Sequence, residues 1–157
     1  MNQAYLILGS NINPDENIPK ALKYLQDSFS LKQVSSTWRT RSIGAEAPDF
    51  YNTAAEIETG LDVYLLKEQC LCHIEEVMGR VRQPDKNAPR TIDIDIVIFN
   101  DEILDPNIFR MEHLALPLAD LLPAIADQNL GITLQELSSN FQSTGTAKNI
   151  GMILPGQ

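Results

Sequence analysis

Positive charge is scarce in this chain: 12 Lys and Arg stand against 21 Asp and Glu, a formal net charge of −9 over 157 residues. That balance argues against a protein whose business is nucleic acid or an anionic membrane, since both ask for a basic surface. Cysteine is almost missing too. Cys70 and Cys72 lie two apart in a stretch that reads as helix, where side chains at that spacing do not face each other, so no disulfide is expected. Those thiols with His73 and His113 lack the register of a zinc site. No apolar run approaches the ~20 residues that span a bilayer. The run from Ala4 to Leu8 is too short, and lacks the preceding basic segment, to be a signal peptide. Glycine is not gathered into a phosphate loop: neither GxxxxGKS/T nor GxGxxG occurs, and Gly9-Ser10-Asn11 is too short to serve as one. The expectation is a soluble, cytoplasmic protein with no nucleic-acid or membrane partner.

What is present suffices for one domain over residues 1–157, with 43% apolar residues to fill a core. AYLILG from Ala4 reads as a buried strand ending at Gly9. Ile18, Ala21, Leu22, Leu25 and Phe29 then repeat with helical period, and Pro19 is tolerated if it lies in the first turn, which puts the helix start at 15–17. Residues 31–40 are β-leaning and lead into a loop with Gly44 and Pro48. Residues 50–59 form a third strand, and Asp62 caps a helix with Leu66, Cys70, His73, Ile74 and Val77 on one face. The last strand is Thr91 to Phe99. LPLADLLPAI suggests a further short helix, and residues 138–157 read as a tail that wraps the domain without a core of its own. The order β, α, β, β, α, β predicts an α+β, ferredoxin-like βαββαβ sandwich: an antiparallel sheet, helices packed on it, and an extra C-terminal segment.

The chemistry gathers in PRTIDIDIVIF, residues 89–99. Strand alternation puts Ile92, Ile94, Ile96 and Ile98 on one face and Asp93, Asp95, Val97 and Phe99 on the other. Two carboxylates that point the same way repel and raise each other's pKa unless a cation compensates, and magnesium, a hard ion that prefers oxygen ligands, is the natural one. The plainer alternative is an edge strand with a solvated polar face. The preceding stretch bears on the choice, because Arg80, Arg82, Lys86 and Arg90 against Asp85 give residues 80–90 a charge of +3 in an acidic chain. Guanidinium forks suit phosphate oxygens, so the pattern suggests a magnesium-polyphosphate site under a loop that closes on substrate. Trp38, Phe50 and Tyr51 are either core or a stacking surface for a flat ligand.

LGSN at 8–11, WRTRSIG at 38–44, PDFYNTA at 48–54, IEEVMGRVR at 74–82 and PRTIDIDIVIF at 89–99, in that order, resemble the 6-hydroxymethyl-7,8-dihydropterin pyrophosphokinase family of folate biosynthesis. The resemblance implies transfer of a diphosphate from ATP to the hydroxymethyl group of the pterin, with release of AMP. It implies Asp93 and Asp95 as ligands of two magnesium ions. Arg80 and Arg82 would act on the phosphates as catalytic groups, and Glu75, Arg90 and Ile96 would complete the ATP side. Thr40, Ile43, Gly44, Phe50 and Asn52 would form the pterin pocket. The chain departs from the family after Phe99, where the segment before LPLADLLP is short; Phe109, Arg110 and His113 are its candidates to replace a His, an Arg and a Phe usual there. An Asp-x-Asp nucleotide-sugar transferase and a catalytically weakened pterin- or nucleotide-binding relative are the competing readings.

Overall fold

The computed structural model describes residues 1–41, 48–80, 84 and 90–155. Ile43, Gly44, Arg82 and Lys86 lie outside the described residues. Strands β1 (Asn2–Ser10), β2 (Ser30–Val34), β3 (Trp38–Thr40), β4 (Phe50–Thr59), β5 (Asp93–Phe99), β6 (Glu102–Ile103) and β7 (Lys148–Asn149) form one sheet in the order β6-β5-β1-β4-β3-β7, with β2 also paired to β4. All the pairings are antiparallel. Stripped of the short edge strands, the order is that of the ferredoxin-like sandwich, its second strand divided in two.

The division has a local cause. Ser35 turns inward and uses both its backbone and side chain on Ala54: its N–H donates to the Ala54 carbonyl at 2.9 Å, and its Oγ accepts from the Ala54 N–H at 2.8 Å. Thr37 meets Thr53 through their hydroxyls at 2.7 Å and gives its backbone to the tail, through Gly151 and Ile150. A strand expected over 31–40 is therefore two strands with a polar joint between them.

Helix α1 (Pro14–Ser28) begins at Pro14, so Pro19 lies inside it rather than in its first turn as the sequence suggested. It buries Ile18, Ala21, Leu22 and Leu25 against Leu6, Leu8, Ile57 and Ile94. On the same face of the sheet lies a second helical stretch: α2 (Val63–Leu65), a π-helical segment Leu66–Leu71 and α3 (Cys72–Val77) run on without a break. Asp62 caps it, its carboxylate accepting from the Leu65 N–H at 2.8 Å. In the π turn the Cys72 N–H reaches the Lys67 carbonyl, five residues back. That extra residue re-phases the helix. The buried positions are Leu66, Leu71, Ile74, Glu75 and Met78, whereas His73 and Val77, expected inside, face solvent.

The opposite face of the sheet carries a second core, where the sequence suggested a short helix and a tail that wraps the domain without a core of its own. Helices α4 (Glu112–Leu121) and α5 (Leu134–Thr144) pack Leu114, Ala115, Leu118, Leu134, Leu137 and Phe141 over Tyr5, Ile7, Ala54, Val97 and Ile98. A bulge feeds this core: the β1 register moves from Tyr5 opposite Ile98 to Leu6 opposite Ile96, so Val97 is the extra residue. Val97 and Ile98 both face the α4–α5 side and Phe99 packs in the first core, which reverses the faces expected for Ile98 and Phe99. The alternation holds through Asp93, Ile94, Asp95 and Ile96. Among the described residues no helix is long and apolar enough to cross a membrane.

Candidate active site

Sheet register assembles the site. Asp93 on β5 is opposite Gly9 on β1, Gly9 is opposite Asn52 on β4, and Asn52 is opposite Trp38 on β3. Register partners share a face, so Asp93 and Asn52 stand in one row with a glycine between them. The missing side chain leaves a cavity. It is lined by Ile7, Gly9, Thr40, Phe50 and Asn52 on the sheet, by Asp93, Asp95, Arg90 and Arg41 at its rim, and by His113 and Leu114 from α4 above. Thr40, Phe50, Asn52, Arg90, Asp93 and Asp95, drawn from three separated segments of sequence, thus meet in one place.

Within it, Asn52 donates through Nδ2 to the Thr40 hydroxyl at 3.0 Å, and both side chains are buried. An amide fixed in this way presents a defined polar edge to a ligand. Arg90 is placed by Asn11, a buried residue of the LGSN block, whose Oδ1 accepts from the Arg90 N–H at 2.6 Å while its own N–H donates to the Arg90 carbonyl at 3.1 Å. The Asn11 amide also reaches the Pro48 carbonyl at 3.3 Å, so one side chain ties both loops to the end of β1. The sequence marked LGSN as a matching block without assigning Asn11 this clamp; a polar residue just past a buried strand was the available signal.

The carboxylates are held by cations of the chain. Arg80 donates to Asp93 Oδ1 at 2.8 Å and to Glu75 Oε2 at 2.5 Å, and Arg90 donates to Asp93 Oδ2 at 3.2 Å. Glu75 is buried and accepts from the Ile94 N–H at 3.0 Å, which couples α3 to the strand that carries both aspartates. The π turn is what brings Glu75 inside. Burial raises the Glu75 pKa, with Asp93 adding to the rise and the Ile94 amide and Arg80 opposing it. Burial also raises the Asp95 carboxyl, with a further push from Asp93 and partial relief from Lys67. For Arg80 burial alone would lower the guanidinium, and Asp93 and Glu75 more than offset it, so Arg80 stays charged. Lys67, which sequence reasoning did not single out, lies with Nζ 3.4 Å from Asp95 Oδ1.

Ile96 does not join the cavity. It packs with the first core on the other side of the strand from Asp93 and Asp95. Of the three candidates from the shortened segment, Phe109 packs in the second core, Arg110 is exposed, and only His113 reaches the cavity.

Two expected results follow from this geometry. A Cβ on Gly9 would sit 3.1 Å from Asn52 Oδ1 and 3.8 Å from Phe50 Cδ1. Overpacking of this kind costs ~1–3 kcal/mol, so Gly9→Ala should weaken ligand binding on the Asn52 side about tenfold, with little change in affinity for the nucleotide expected from the family resemblance. Calorimetric titration of the expected pterin and nucleotide separately checks this, and equal losses for both would contradict it. His113 is half-buried, and burial lowers its pKa against the opposing fields of Asp105 and Asp93, with Arg90 assisting. A histidine whose folded pKa is depressed leaves the folded state short of a proton that the unfolded chain takes up below its ordinary value of ~6.5. Wild-type stability should therefore fall relative to His113→Gln between pH 7 and pH 5. Thermal melts across that range give the test, and parallel curves would refute it.

Magnesium suits this donor set. Among the described residues no group of three or more His, Cys, Asp or Glu could enclose an ion. Two hard carboxylates on one strand face are a half-site, which matches an ion that completes its shell with water and substrate phosphates.

Comparison with known proteins agrees with the geometry. The family described as 7,8-dihydro-6-hydroxymethylpterin-pyrophosphokinase (HPPK) matches residues 5–123. The 2-amino-4-hydroxy-6-hydroxymethyldihydropteridine pyrophosphokinase of Haemophilus influenzae is 35% identical over 125 residues, 77% of this chain and 74% of its own. The folic acid synthesis protein FOL1 of Dictyostelium discoideum is 32% identical over 160 residues, 95% of this chain; the chain spans only 24% of that longer protein. The crystal structure of wild-type Plasmodium falciparum HPPK-DHPS superposes with a TM-score of 0.70 at 16% identity, over 90% of this chain and 41% of that one, a likeness of fold. With the family matched over residues 5–123, most of this chain, the chain belongs to the 7,8-dihydro-6-hydroxymethylpterin-pyrophosphokinase family.

Proposed function

We propose that this pyrophosphokinase transfers the terminal diphosphate of ATP to the hydroxymethyl oxygen of 6-hydroxymethyl-7,8-dihydropterin, releasing AMP, and that Asp93 and Asp95 hold two magnesium ions in doing so. The observation that carries the reading is the single cavity in which a polar-edged apolar slot, Thr40, Phe50 and Asn52, adjoins a carboxylate pair backed by arginines. A flat heterocycle with amide-like edges suits the first half, and a polyphosphate with its metal suits the second. Cytoplasmic location and a monomeric state belong to the same proposal.

The reaction forms a bond from the substrate oxygen to the β-phosphorus of ATP and breaks the bond from that phosphorus to the oxygen bridging to the α-phosphorus. The hydroxyl proton leaves to solvent. Such a transfer asks the protein mainly for alignment and for charge at the equatorial oxygens. Asn52, fixed by Thr40, orients the ring so that its substituent faces Asp93 across Gly9. Phe50 offers an apolar face to the ring. Arg80 and Arg90, resting on Asp93, lie where incoming phosphate oxygens provide a competing anion, and a guanidinium that moves to them supplies positive charge during transfer. Arg82 is assigned the same task from the family resemblance. The metal, when bound, neutralises phosphate charge and stiffens the chain of phosphates.

ATP labelled at the β-phosphorus provides the test. The label should appear in the pterin product together with the γ-phosphate, and AMP should form in equal amount. Transfer of the γ-phosphate alone, with ADP as product, would overturn the reading.

A further inference from the structure

Lys67 is the one residue of the π turn aimed at the carboxylate pair. Its ammonium is 3.4 Å from Asp95 Oδ1 and 3.4 Å from the Ile94 carbonyl, and its side chain keeps 36% of its exposure, so it can exchange partners. With Arg80 and Arg90 on Asp93, the cations that meet the pair among the described residues are all side chains that are phosphate ligands by chemistry. The π turn sets this up, because the added residue keeps Leu66 and Leu71 in the core while Lys67 flanks β5 at Asp95.

We infer that Lys67 is a further polyphosphate-binding residue of this site: it holds Asp95 before nucleotide arrives and moves to a phosphate oxygen when the nucleotide and its divalent cation bind. The inference rests on the assignment of Asp93 and Asp95 to a metal-nucleotide complex. Lys67 competes with a divalent cation for Asp95 and cooperates with it once phosphates are present. Its removal therefore has opposite effects on the two ligands. A lysine that served only to neutralise Asp95 would change metal affinity alone.

Wild-type protein, Lys67→Met and Lys67→Arg are titrated calorimetrically with Mn2+ alone, then with α,β-methylene-ATP at saturating Mg2+. Lys67→Met should bind Mn2+ alone at least about threefold more tightly, as expected for freeing a partly exposed carboxylate. It should bind the ATP analogue about tenfold more weakly, the worth of a charge-assisted contact. Lys67→Arg should keep analogue affinity within about threefold of wild type, since the positive charge is retained. Unchanged analogue binding by Lys67→Met, or weaker Mn2+ binding, overturns the inference. A wild-type protein that binds the analogue but forms no AMP with the pterin alcohol defeats the proposed reaction and leaves the Lys67 comparison decisive. A wild-type protein that does not bind the analogue defeats both.

Discussion

Asp95→Asn should cut turnover about a thousandfold and leave the protein folded. The loss follows from the proposed metal site: a metal-held carboxylate supplies several kcal/mol of charge stabilisation to phosphate transfer, and each ~1.4 kcal/mol is a factor of ten. The intact fold follows from the environment of the residue. Asp95 is half-exposed on the face opposite the α1 core, and Lys67 meets its carboxylate at a long 3.4 Å. Its carboxyl pKa is raised in the folded protein by partial burial and by Asp93. A raised acid costs the folded state once it ionises, so the contribution of Asp95 to stability is lost as pH rises through the folded-state pKa. Removal of its charge should therefore leave the melting temperature at pH 7 equal to or above wild type, with the gap closing toward pH 4. A variant that melts well below wild type at neutral pH would show a structural role, and one that retains activity would remove Asp95 from the metal site.

Arg80→Ala should be costly in a different way, losing both stability and rate. The guanidinium is 12% exposed and joins Asp93 to Glu75, whose side chain is 2% exposed. Its removal leaves two carboxylates facing each other with one of them buried, and breaking such a pair typically costs ~3–5 kcal/mol. Because Glu75 already has a raised pKa, part of that cost should be relieved as the pH is lowered toward 5. The rate loss is separate: an arginine that stabilises a transferring phosphoryl group is worth ~10³ or more in kcat. The double variant Glu75→Gln with Arg80→Ala distinguishes the two. It should recover much of the melting temperature and none of the kcat, with ATP affinity reduced far less than kcat. Recovery of both together would make Arg80 a structural residue only.

These two residues also show what the sequence discloses. The aspartates were legible because strand alternation is a backbone property, and from Asp93 to Ile96 nothing disturbs it. Two residues later it failed, since the extra residue of a bulge leaves no local mark, and Ile98 and Phe99 changed faces. The helix over α2 and α3 shows the same thing. Its cap at Asp62 and its extent were readable, while its buried face was only partly so, because a π turn shifts the phase by a residue: Leu66, Cys70 and Ile74 stay on the core side, while Leu71 and Met78 are buried there and His73 and Val77 are not. Glu75 owes its buried position to that shift, and Lys67 its place beside Asp95.

The ferredoxin-like order was legible for a simpler reason: strand-like and helix-like stretches follow one another as β, α, β, β, α, β, and that order does not depend on which residues each element buries. The second core was not, because α5 has few large apolar residues and signals itself only by packing on α4. The cavity itself stood beyond sequence reading. It depends on Gly9 pairing with both Asp93 and Asn52 across the sheet, a coincidence of registers that joins residues 43 and 84 positions away in the chain. Ile43, Gly44 and Arg82, assigned from the family resemblance, lie outside the described residues, and their roles stand as proposals.

The most direct test of the central claim is a single reaction. Purified protein is mixed with ATP and 6-hydroxymethyl-7,8-dihydropterin, Mg2+ is varied with a chelator, and AMP and the pterin diphosphate are quantified together. The site described here predicts one AMP for each pterin diphosphate, with formation abolished on chelation and restored by added Mg2+. Product formation that persists without a divalent cation, or none at all from a folded protein that binds both substrates, would contradict it.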